Sequence, residues 1–82
     1  MTSEKQTLDT IYELTEKAIF ANEFAKSAAL AANYRGLATK TRDPLLIAKS
    51  YYLLAKSLPK QGIYKGKAED YYQKAVLQFT DI

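Results

Sequence analysis

The chain contains no cysteine, no histidine and no tryptophan among its 82 residues. Without cysteine there is no disulfide staple and no thiolate metal site. Without histidine, the usual base for activating a nucleophile is missing. No apolar run approaches the roughly 20 residues that a membrane-spanning helix needs. The opening MTSEKQTLDT has no basic stretch followed by an apolar one, so no secretory signal is expected and a cytoplasmic location is the default. Glycine and proline are scarce, at three and two residues, and neither occurs before Gly36.

What is present points to one small folded unit, residues 1–82, because 48% of the chain is hydrophobic. The net charge of +3 hides a strong asymmetry. Residues 1–24 carry −3, residues 25–67 carry +8 with Asp43 as their only acid, and residues 68–82 carry −2. Such a middle segment either complements acidic neighbours within the fold or offers a basic face to something anionic.

Periodicity is helical throughout, with no sustained alternation of the kind strands require. Residues 4–20 place Leu8, Ile11, Tyr12, Ala18 and Ile19 on one face, with Leu14 beside them. Thr2 or Ser3 suits the cap of this helix, and Glu4 and Asp9 suit its positive end. A break is expected near Ala21-Asn22, with Asn22 as the next cap. The second helix, about 23–40, is rich in alanine, which lets a neighbour approach closely. Asp43-Pro44 is a cap followed by a first-turn proline, opening a third helix over about 44–58. That helix is apolar nearly all round, with Lys49, Ser50, Lys56 and Ser57 as its polar strip, so it belongs in the middle of the assembly. Pro59 and Gly62 end it. PKQGIYKGK reads as a basic loop, and a fourth helix over about 66–80 turns Ala68, Tyr71, Tyr72, Ala75, Val76 and Phe79 inward. The expected fold is all-α: a compact antiparallel four-helix bundle.

One octet pattern occurs twice, as AKSYYLLA at 48–55 and AEDYYQKA at 68–75. Ala, Tyr, Tyr and Ala at i, i+3, i+4 and i+7 form one helical stripe. The alanines leave room and the tyrosine rings fill it, so Tyr51, Tyr52, Tyr71 and Tyr72 are assigned to packing between adjacent helices.

Residues 29–59, ALAANYRGLATKTRDPLLIAKSYYLLAKSLP, resemble a tetratricopeptide repeat (TPR). Gly36 stands at the small position of that family's first helix. Ala48, Tyr52 and Ala55 match the Ala-x-x-x-aromatic-x-x-Ala signature of its second helix, and Pro59 falls within one residue of the closing proline. Ala32, Arg35 and Thr39 depart from the family's Trp, Leu and Tyr. The resemblance implies a TPR-like helical hairpin and non-catalytic protein binding. TLDTIYEL and DPLL are similar to segments of small helical-bundle bacteriocin immunity proteins, which implies protection of a toxin-producing cell as the alternative.

No residue pattern supports catalysis. Glu69 and Asp70 are adjacent and diverge on a helix, Glu13 and Lys17 read as a solvated pair, and GIYKGK lacks the spacing of a phosphate loop. The acids are too scattered for a metal site. No enzyme activity, cofactor, metal or small-molecule substrate is therefore expected. The candidate partner-binding surface is the edge of the second helix, Lys26, Tyr34 and Arg35, joined to Lys60, Tyr64, Lys65 and Lys67. Its expected partner is a protein with an acidic segment, and a homodimer is allowed. Lysines around Tyr64 could also hold phosphate and stack a base. The third helix is too apolar to lie in a DNA groove. Nucleic acid or another anionic surface acting on residues 25–67 therefore ranks third.

Overall fold

The computed structural model describes residues 4–80, and side chains from residue 6 to residue 78. The cap expected at Thr2 or Ser3 and the side chains of Glu4 and Phe79 lie outside the described residues. Helix α1 spans Glu4–Phe20, α2 Phe24–Thr41, α3 Pro44–Ser57 and α4 Ile63–Thr80, with no strand among the described residues. No described helix is long and apolar enough to cross a membrane.

Each connection has a local cause. Helix α1 ends because Asn22 takes the left-handed conformation at φ 61°. The Asn22 N–H donates to the Ile19 carbonyl at 3.0 Å and the Glu23 N–H to the Ala18 carbonyl at 2.8 Å. These two bonds form a Schellman motif, in which asparagine tolerates the left-handed position better than most side chains. Asn22 therefore terminates α1 rather than capping α2, whose N-cap is Glu23 without a side-chain bond.

Arg42 ends α2 in the same conformation, at φ 58°. The Asp43 N–H then donates to the Thr41 hydroxyl at 3.1 Å, and the Asp43 carboxylate accepts from the Leu45 N–H at 2.9 Å. Asp43 and Pro44 open α3 as the sequence predicts.

Pro59 keeps Leu58 out of the helical region, at φ −127° and ψ 66°, and α3 stops there. Helix α4 starts at Ile63 rather than near residue 66. Its first turn is anchored by Tyr64, which packs on the core and offsets the low helix propensity of Gly66. The segment read as a flexible loop is thus mostly the opening of a helix.

The helices layer in chain order: α1 packs on α2, α2 on α3 and α3 on α4, with a lighter contact between α1 and α3. The assembly is an all-α four-helix bundle, but a flat one, 41 × 37 × 18 Å. Its core joins Leu8 and Ile11 of α1, Ala31, Tyr34 and Ala38 of α2, and Leu53 and Leu54 of α3. Helix α3 is covered on nearly all sides, as its apolar sequence implies.

The polar strip of α3 divides in two. Ser50 and Ser57 are buried, with hydroxyls donating to the Ile47 and Leu53 carbonyls at 2.6 and 2.8 Å. Lys49 and Lys56 lie about 100° further round the helix. Back-bonding lets serine occupy an apolar seam without an unpaired hydroxyl, and Thr15 and Ser27 do the same on α1 and α2.

Candidate functional site

The two octets pack against each other along the α3–α4 seam. Ala48, Ala68 and Ala75 are buried there. Successive residues point about 100° apart, so the tyrosines of each pair flank the seam on opposite sides. On one flank Tyr51 stacks on Tyr71, with ring centroids 5.7 Å apart, and on Tyr64 at 6.3 Å. On the other flank Tyr52 and Tyr72 line a groove of about 390 Å³ with Ala55, Lys56, Lys65, Ala68 and Glu69.

That second flank opens onto the exposed Lys56 and the half-buried Lys49 and Tyr52 of α3. Tyr52 and Lys56 form its floor at i and i+4, and Lys49 lies one turn before Tyr52 on the same strip of α3. Helix α1 supplies one wall: Lys49 Nζ lies 5.7 Å from the centre of the Tyr12 ring. Glu16, Ile19 and Phe20 share a smaller recess with Lys56. Helix α4 supplies the other wall through Tyr72, Lys65 and Glu69. The flat layering creates this opening, because α1 and α4 sit on either side of α3 and leave its outer strip uncovered.

The groove is rich in hydrogen-bond donors. Burial pushes the Tyr12 phenol up to about 12, with Glu16, Tyr72 and Tyr52 adding to the shift. Tyr72 is also raised, first by burial and then by Tyr52. Lys56 Nζ sits 4.6 Å over the Tyr52 ring. Hydrogen bonding to the Tyr52 hydroxyl raises its pKa against a small burial penalty, and the charges of Tyr52 and Glu16 assist. At neutral pH Tyr12 and Tyr72 are therefore neutral hydroxyls and Lys56 is an ammonium. The arrangement suits an acceptor-bearing ligand such as a carboxylate. Among the described residues no group of three acidic, His or Cys side chains converges on a metal position.

The residues singled out from sequence separate in space. Tyr34 is 2% exposed and packs against Tyr12, with centroids 5.7 Å apart. It belongs to the core and is withdrawn as a partner contact, because its ring is what fills the space between α1, α2 and α3. Lys26 and Arg35 are exposed but nine residues apart, which puts them on opposite sides of α2. They cannot share one edge.

Lys60, Lys65 and Lys67 are exposed, while Tyr64 is half-buried. Tyr64 lies in the aromatic stack against the core, so it is not free to stack on a base. Lys67 Nζ covers the Tyr51 ring at 5.5 Å, on the flank opposite Lys65. Only Lys65 reaches the groove over α3. Tyr52, Lys56 and Tyr72 line it, with Lys49 over the Tyr12 ring beside it; sequence patterning assigns the tyrosines to packing and Lys49 to a polar strip, and places Lys56 in the lysine cluster around Tyr64. The signal in the sequence was the pair of lysines seven apart on an otherwise apolar helix. No family model, curated protein or solved structure matches the chain.

Proposed function

We propose that the protein is a non-catalytic, cytoplasmic interaction module, and that the groove over α3 receives an extended acidic segment of a protein partner. The observation carrying this reading is the donor-lined opening itself. Tyr52, Tyr72, Lys56 and Lys65 line it, and Lys49 over the Tyr12 ring extends the donor-bearing surface towards α1. Aromatic bodies with polar tips give contact area at low conformational cost, and lysines over their faces add charge recognition. Helices layered in chain order also suit the TPR-like reading, since such hairpins stack on their sequence neighbours. The immunity-protein alternative rests on the TLDTIYEL and DPLL similarities together with size and helix count.

The test is selection from a random-peptide display library at low and high salt. Enrichment of acidic peptides, captured at low salt and released at high salt, is the expected result. Enrichment of basic or uncharged peptides, or of none, would remove the acidic-partner reading. Lys56→Glu should then lose the enriched peptides.

A further inference from the structure

A second surface adjoins the groove at Lys56. The α1–α2 and α3–α4 connections lie at the same end of the bundle, because Phe24 shares a recess of about 330 Å³ with Ser57, Leu58, Pro59, Lys60 and Gln61. This end exposes three large apolar side chains: Phe20 at 92%, Ile63 at 63% and Phe24 at 40%. Scattered apolar residues on a surface need no explanation, but three at one tip, on two adjoining connections, do. Exposed lysines accompany them: Lys26 one turn into α2, Lys60 in the α3–α4 connection and Lys56 beside Phe20. The acids at this end are Glu16 and Glu23, both exposed.

We infer that this tip docks on an anionic lipid surface, with Phe20 and Ile63 entering the headgroup region and Lys26 and Lys60 meeting the lipid charge. The shape favours a bilayer over a protein partner. Phe20 projects from a helix end with almost all its surface free, as a wedge that inserts rather than a pocket that receives. A protein partner would need a continuous face, whereas a bilayer accepts separate protruding side chains flanked by lysine. No described helix can span the membrane, so attachment would be peripheral, reversible and salt-sensitive.

The experiment is co-sedimentation of the full chain with vesicles of phosphatidylcholine alone and with about a third phosphatidylglycerol, alongside solution mass. Binding to the anionic vesicles only is expected. Phe20→Ser should weaken it about tenfold, the share of a partly inserted aromatic ring. Lys26→Gln with Lys60→Gln should weaken it several-fold and flatten its salt dependence. Phe20 and Ile63 are mostly exposed, so their serine variants should fold as the wild type does, checked by circular dichroism. Three results would each overturn the inference: no binding to anionic vesicles, binding unchanged in Phe20→Ser with Ile63→Ser, or a dimer that Phe20→Ser dissociates while vesicles are ignored. Acidic-peptide binding should survive in Ile63→Ser, a position that lines no part of the groove, so failure at the tip and failure in the groove give different outcomes.

Discussion

Tyr51 of α3 and Tyr71 of α4 stack nearly parallel, 5.7 Å between centroids and 19° between planes. They are the first tyrosines of the two octets, so the repeated pattern is one helix seam seen from both sides. Alanines hold the backbones close, and the rings close the flank. Truncating Tyr51 to Ala should cost about 2–4 kcal/mol, since a half-buried ring loses less than a fully buried one. A double-mutant cycle with Tyr71→Ala should return a coupling of about 0.5–1.5 kcal/mol. Urea denaturation of the four proteins checks both figures, and strictly additive losses would mean that the rings merely share a surface.

Backbone conformation predicts that gaining a glycine at one position and losing one at two others should all stabilise. Arg42 holds a positive φ that costs an L side chain roughly 1 kcal/mol, and glycine is free of it. Arg42→Gly should therefore raise stability by up to about 1 kcal/mol, after the added freedom of the unfolded chain is deducted.

Gly36 and Gly66 lie inside helices, and a Cβ at either would meet nothing within 4 Å. Replacing each with alanine should stabilise by about 0.5–1 kcal/mol. Thermal midpoints separate the cases. A loss at Gly36 would mean that a neighbour approaches it more closely than the packing of α2 indicates.

Alkaline sensitivity should be marked. Burial raises the Tyr34 phenol to about 12, with Tyr12 and Asp9 contributing, and the Tyr12 phenol is raised equally. A phenol that keeps its proton to higher pH when folded contributes stability that is fully present below its ordinary value of 10.0 and is lost as pH rises through about 12. For the buried Tyr34 this is on the order of 1–2 kcal/mol after allowance for residual solvent access. Chemical denaturation at pH 8, 10 and 11.5 should show stability falling across the last two. Tyr34→Phe should flatten that fall.

Local signals located most of the fold. Asp43-Pro44 and Pro59 act through sterics and capping within a few residues, so α3 was legible at both ends. The start of α4 was not, because Gly62 and Gly66 read as loop while the anchoring of Tyr64 on the core is a tertiary effect. Tyr34 could have been placed from Ser27, Ala31 and Ala38, which share its face at helical spacing. Their small or polar side chains give that face a weak apolar signature, so the tyrosine looked like surface. The groove was the least legible feature. It joins Tyr12, Lys56 and Tyr72 from three helices, and their convergence follows from layering that no stretch of sequence encodes alone.

The strip Lys49-Tyr52-Lys56 is the proposed binding place of an acidic partner segment. The most direct measurement is a titration of an acidic peptide, obtained by selection, into 15N-labelled protein, followed by amide shifts. Shifts should concentrate at Tyr12, Lys49, Tyr52, Lys56 and Tyr72, and affinity should fall at least tenfold in Lys49→Glu with Lys56→Glu. Shifts centred on Lys26, Arg35 or Lys67 instead, with affinity unchanged in that double variant, would contradict it.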